Sequence, residues 1–178
     1  MKPEYQKLLL LTAFYITFTG VVSAQSKDVG MEFSISGISV SYEYYVDSES
    51  FIDINLKAEC ADVFFGRSDF PGASASITWN IIFAESKSCN GNDIRMFAGP
   101  GLMMGWGNDL MRPAGLIVGL KGRVGAECEF NRNVTISVSL SPVIGTHMMI
   151  FEDYVEMRYY RSGLIASVLP IIGVKYIF

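Results

Sequence analysis

Gly163-Leu-Ile-Ala-Ser-Val-Leu-Pro-Ile-Ile-Gly-Val-Lys-Tyr-Ile-Phe178 is the stretch whose reading decides the fold. Its residues alternate. Leu164, Ala166, Val168, Ile172, Val174, Tyr176 and Phe178 fall on one face of an extended chain, while Ser167, Gly173 and Lys175 fall on the other, diluted by Ile165, Leu169, Ile171 and Ile177. Successive side chains of a strand point to opposite faces, so this spacing predicts a β-strand with one apolar face.

The same period runs through most of the chain from Val29 onward. Val29, Met31, Phe33 and Ile35 alternate with Gly30, Glu32, Ser34 and Ser36, and Gly37 marks a tight turn. Ile38, Val40, Tyr42 and Tyr44 follow. Ile52, Ile54, Leu56 and Ala58 then oppose Asp53, Asn55, Lys57 and Glu59 in the cleanest alternation of all. Comparable segments are centred on Trp79, Leu102, Leu120 and Val138. With the final segment they predict eight strands, joined by short turns at Asp47, Asn90 and Asn131 and by longer connections at Gly66, Asn108 and residues 147–162. The pattern shows no repeat beyond hairpins and no domain linker.

Two features set where such a chain would work. Lys2 and Lys7 precede an apolar run from Leu8 through Val22, and Ser23-Ala24 before Gln25 supplies small residues at a cleavage position. Residues 1–24 therefore read as an export signal and residues 25–178 as one β-barrel domain. The alternative for the first segment is an uncleaved anchor, for which the run is short. A net charge of −4 argues against nucleic acid as a partner. Of the three cysteines, Cys60 reads as a small apolar filler. Cys89 and Cys128 fall near one rim, where a disulfide is open but not fixed by spacing.

The polar faces carry full charges: Glu32, Glu43, Asp53, Glu59, Glu127 and Glu129 against Lys57, Arg95, Lys121, Arg123 and Lys175. The apolar faces are the more continuous. An all-β chain of eight strands with this division predicts an antiparallel up-and-down transmembrane barrel, its aliphatic face toward hydrocarbon and its charges paired inside. A barrel of that size is filled by its own side chains, so the expectation is a plugged barrel. Tyr42, Tyr44, Phe83, Phe130, Tyr176 and Phe178 fall at one rim and Phe64 and Trp106 at the other, as bilayer interfaces favour. A soluble, lipocalin-like barrel is the competing fold. It would put the Asp53 and Lys57 face in water.

Gly173, Tyr176 and Phe178 resemble the C-terminal signature of bacterial outer-membrane barrels, with Ile171 standing where a polar residue is usual. The chain as a whole resembles the small OmpA- and OmpX-like barrels of Gram-negative bacteria and, more loosely, the eight-stranded outer-membrane barrels of Bacteroidetes. The resemblance implies an outer-membrane location among lipid, and assembly by the barrel-assembly machinery through the last strand. It also implies a structural or surface-interaction role without catalysis.

Some small barrels are enzymes acting on lipid A, and a few are narrow channels. The only histidine, His147, has Glu152 and Asp153 nearby in sequence, and Ser141 or Ser162 as the nearest serines, but Met148 and Met149 replace any His-x-Ser pattern. No cofactor or metal constellation is legible. The segment His147–Ser162 is aromatic, Met-rich and charged. Its Phe151, Tyr154, Tyr159 and Tyr160 are candidate contacts for an extracellular partner if strands seven and eight project as a hairpin. The alternative is a loop folded over the barrel mouth.

Overall fold

A computed structural model describes residues 27–60, 71–87, 93–109, 112–131, 133–151, 154–166 and 168–178. The export-signal segment, Phe64, Cys89, Glu152 and Asp153 lie outside the described residues.

The strands are β1 (Lys27–Ser34), β2 (Gly37–Tyr45), β3 (Ser50–Glu59), β4 (Gly72–Lys87), β5 (Asp93–Asp109), β6 (Arg112–Asn131), β7 (Val134–Leu140), β8 (Val143–Ile150), β9 (Val155–Tyr159) and β10 (Ile171–Ile177). One helix, α1 (Arg161–Ala166), precedes β10. Strands β1 to β6 pair antiparallel in chain order. On its other edge β6 pairs with β7 through Val124–Asn131 and with β8 through Leu116–Lys121. β7 pairs with β10, and β10 pairs with β1, which closes the barrel.

β7 and β8 are one strand broken at Ser141-Pro142, where proline lacks the N–H a ladder needs. The neighbouring strand holds on across the break, since the Gly122 N–H donates to the Pro142 carbonyl at 2.8 Å. β9 and β10 are the two halves of an eighth strand that α1 interrupts. Counted this way the molecule is a closed, eight-stranded antiparallel barrel.

Its faces are inverted relative to a water-soluble protein. Ile54, Leu56, Ile77, Trp79, Leu102, Leu120, Val138 and Val174 point outward, whereas Asp53, Glu43, Glu127, Arg123 and Lys175 are buried. A lipid solvent satisfies the first set, and among the described residues every strand but β9 is paired on both edges. Phe83, Phe130, Tyr176 and Phe178 form an outward aromatic group at the end where β1 begins and β10 finishes, and Trp106 sits outward toward the other. Tyr42 and Tyr44 are half-buried there. The soluble-barrel alternative is overturned by this orientation.

Three expectations need correction. The last strand does not begin at Gly163: residues 161–166 are helical and β10 starts at Ile171. Pro170 just before β10 cannot donate a ladder hydrogen bond, and Gly163 allows the helix to lie where a side chain could not. A Cβ there would stand 2.7 Å from both the Val143 carbonyl oxygen and the Tyr160 ring. The connection near Asn108 is not long, because β5 runs to Asp109 and pairs with Arg112 at the start of β6. Residues 147–162 are likewise no plain loop but the end of β8, a hairpin, β9 and the start of α1. The two-residue link Ile35-Ser36 is as tight as expected, and a Cβ on Gly37 would meet the Ala58 carbonyl oxygen at 1.9 Å.

Candidate functional site

The inward faces of the strands build two different layers. In the layer nearest the termini, period-two spacing brings Glu32 of β1, Glu43 of β2, Asp53 of β3, Arg95 of β5, Arg123 and Glu127 of β6 and Lys175 of β10 into one cross-section. Arg123 is paired with Glu32 and Asp53, with Glu43 at 3.7 Å. The Lys175 Nζ donates to Glu43 Oε1 at 2.6 Å and Glu127 Oε2 at 2.8 Å. Arg95 Nη2 lies 2.9 Å from Glu127 Oε1 and 3.2 Å from Glu129 Oε1. Charges out of water persist only when paired and hydrogen-bonded, and here each cation meets at least two carboxylates.

Aromatic rings fill the space between the ions. Phe51 and Phe97 are fully buried edge-to-face neighbours with centroids 5.3 Å apart. The Arg123 guanidinium lies 5.3 Å from the Phe97 centroid, and Lys175 Nζ lies 5.6 Å from the same ring. Arg95 stands 5.3 Å over Tyr45, whose hydroxyl reaches Asp28 and Glu127 at 3.3 Å each. Such contacts add to an ion's stabilisation when water is excluded. Asp28, Tyr45, Phe51 and Phe97 were not singled out from sequence. The signal was there: each shares its strand's parity with a charged inward residue.

Toward the other end the interior changes character. Met103, Ile117, Val143 and Tyr160 form a buried apolar cluster. Beside it lies a cavity of about 200 Å³. Lys57, Glu59 and Lys121 line it with a set of serine hydroxyls. Lys57 is engaged, 3.0 Å from Glu59 and donating to Ser36 Oγ at 2.6 Å. Glu59 also accepts from Ser74 at 3.1 Å. Lys121 donates to Ser76 Oγ at 2.8 Å. Lys57, Glu59 and Lys121 thus stand apart from the lower network.

The eighth strand is redirected by a carboxylate. Asp109 at the end of β5 accepts from the backbone N–H groups of Arg161 (3.2 Å) and Ser162 (2.8 Å) and from the Ser162 hydroxyl (2.9 Å). This caps α1 from across the barrel. The Tyr160 N–H donates to the Gly145 carbonyl at 2.9 Å. Tyr160 is therefore an anchor, 5% exposed, and not the surface residue expected of it. Phe151, Tyr154 and Tyr159 are exposed, and the first two rings stack with centroids 4.8 Å apart. β9 pairs with β8. No pairing of β9 on its other edge occurs among the described residues.

His147 is fully buried, and its Nε2–H donates to the Gly107 carbonyl at 3.1 Å. It is no open rim residue, because inward parity on β8 carries it under β5. The Ser162 hydroxyl serves Asp109, and among the described residues no serine is hydrogen-bonded to His147. Cys60 and Cys128 are free thiols. Among the described residues no group of three or more His, Cys, Asp or Glu side chains is placed to hold a metal ion. Gly173 and Lys175 face inward on β10, and Tyr176 and Phe178 outward with centroids 5.3 Å apart.

No protein-family model matches the chain, and no curated protein does. Solved structures share its fold. The N-terminal β-barrel domain of Pseudomonas aeruginosa OprF is 13% identical over 86% of this chain and 96% of that one, with a TM-score of 0.52. A major outer membrane protein from Thermus thermophilus is 10% identical, covering 88% of this chain and 100% of that one at a TM-score of 0.46. Neisserial surface protein A is 13% identical over 85% and 93%, at 0.42. At these identities the likeness is one of fold. The closed barrel and its hydrocarbon-facing belt are those of a small bacterial outer-membrane protein.

Proposed function

We propose that this protein is a non-enzymatic surface-interaction barrel of the outer membrane, holding the β8–β9 hairpin out toward an extracellular partner. The observation that carries the reading is the edge of β9 that no strand pairs among the described residues. Its backbone groups pair with β8 on one side, and Val155, Met157 and Tyr159 are exposed beside the stacked Phe151 and Tyr154. An edge of this kind accepts an added strand, with aromatic side chains supplying the anchors. The Asp109 bonds to α1 and the buried Tyr160 hold the hairpin's base, which lowers the cost of ordering it on binding.

The interior supports the same reading. The ion and ring layer of Arg123, Lys175, Phe51 and Phe97 occupies the barrel's cross-section, which favours a support over a conduit. His147 bonded to a backbone carbonyl gives no nucleophile–base pair for lipid A chemistry. Residues 1–24 act as the export signal in this proposal, and the barrel-assembly machinery reads β10 through Gly173, Tyr176 and Phe178.

The test is a variant carrying Phe151→Ser, Tyr154→Ser and Met157→Ser, which leaves Tyr160 in place. Cells displaying it should lose adherence to immobilised extracellular-matrix protein while unheated gel mobility stays that of a closed barrel. Unchanged adherence, or none by the native protein, would sink the proposal.

A further inference from the structure

The cavity between the two layers is lined by two acids, Glu32 and Glu59, and two bases, Lys57 and Lys121, which do not all pair with one another. Glu32 at its floor is paired with Arg123 and also accepts from Asn55 at 2.7 Å. Lys57 and Glu59 neutralise each other. Lys121 remains, held by one neutral hydroxyl, with no carboxylate in ion-pair reach among the described residues. One strand away Ser141, 8% exposed, also lines the cavity and has a buried hydroxyl without a hydrogen-bond partner. Register places the two close together, since Lys121 pairs with Val143 and the Gly122 N–H bonds Pro142. A cation and an unsatisfied donor converging on one space are the requirements of a small anion.

The remaining wall is apolar. The cavity reaches Ile35 on the β1–β2 link and Ile165, Leu169 and Ile171 around α1. Here the strand wall is interrupted among the described residues. β1 stops at Ser34, and between β9 and β10 the eighth strand is replaced by α1 and the residues after it. Ile35, Leu164, Ile165 and Val168 are exposed here. The space therefore has a polar, hydroxyl-rich end at Lys121 and an apolar end at α1 and the β1–β2 link.

We propose that this cavity binds a single-chain carboxylic acid of the fatty-acid type, taken from the outer leaflet through the break between α1 and the β1–β2 link. The carboxylate accepts from Lys121 and Ser141, and the acyl chain leaves past Ile35, Ile165 and Leu169. Among the described residues Lys121 is the lining cation with no carboxylate in ion-pair reach, and a bound carboxylate would supply one. A two-chain lipid is too bulky for the space, and an uncharged alcohol would leave Lys121 without its counter-ion.

The experiment uses the full mature barrel in phosphatidylcholine nanodiscs, with palmitic acid bearing a diazirine in its chain as the probe. After photolysis, adducts should map to the segments around Ile35 and Ile165–Ile171, and unlabelled palmitate should compete far better than hexadecanol. Lys121→Gln should weaken labelling at least about tenfold, as expected for loss of a charge-assisted hydrogen bond, and Lys121→Arg should largely restore it. Unheated gel mobility confirms that each variant is closed. If Lys121→Gln does not close, the palmitate-against-hexadecanol comparison on the native chain decides. Adducts spread over belt residues such as Leu102 and Leu120, or equal competition by hexadecanol, would overturn the proposal. So would native-like labelling of a closed Lys121→Gln variant. Competition by palmitoyl lysophosphatidic acid but not by palmitate would overturn it in favour of a phosphate head group.

Discussion

Lys175 and Lys121 both project into the same barrel from neighbouring parts of the wall, yet they live in different media. Lys175 is wholly buried between two carboxylates with rings packed around it. Lys121 faces open space and a serine. In the first layer each cation is shared between two or more carboxylates and rings fill the space between the ions. The second is incomplete, and an incomplete polar surface inside a protein is where a further molecule can gain free energy. The contrast separates what keeps the barrel standing from what it can receive.

The contrast can be broken by experiment. The largest effect should come from Arg123→Met, which leaves Glu32, Asp53 and Glu43 buried around a lost cation. A loss of about 3–5 kcal/mol is expected, read as the denaturant midpoint of the refolded barrel. Lys175→Met should cost nearly as much by stranding Glu43 and Glu127. Lys121→Met should change stability by less than about 1 kcal/mol, or raise it, because no buried carboxylate loses its partner. Equal losses for the two lysines would erase the distinction between the layers.

Asp109→Ala should cost about 1–2 kcal/mol locally by uncapping α1. Hydrogen exchange should quicken at Arg161 and Ser162 while amides of β1 and β10 stay protected. The smallest effect lies outside both layers, in the turn after β2. The Glu49 N–H donates to Asp47 at 2.8 Å and holds its exposed carboxyl below the usual 3.8. A depressed carboxylate contributes stability above its unfolded pKa and loses it as pH falls through the folded one. The Asp47 resonance should therefore titrate below 3.8, and Asp47→Asn should flatten any change in turn order in that acid range.

The strand content was legible because alternation is a local property, and Ile52–Glu59 states it without ambiguity. The helix was not. Leu164, Ala166 and Val168 keep strand parity, and six residues are too few for a helical period to declare itself. What selects helix there is Asp109, 53 residues away along the chain from the Ser162 N–H it accepts. The charged residues of the interior could be named from parity alone. Their division into an ion-paired layer and a cavity could not, since partners such as Lys175 and Glu43 meet across the barrel, where sequence spacing carries no information. Tyr160 was misplaced for the same reason: its aromatic neighbours point out, and only the cap on α1 turns it in.

The capping carboxylate has a mechanical meaning as well. The ladder between β1 and β10 ends at Ile172, and β9 above it is held by its own ladder to β8 and by the Tyr160 bond to Gly145, with Asp109 fixing the start of α1. A pull on the tip at Phe151 is borne first by β8 with its ladders to β6 and β9, so the hairpin can give way without unzipping the seam between β1 and β10.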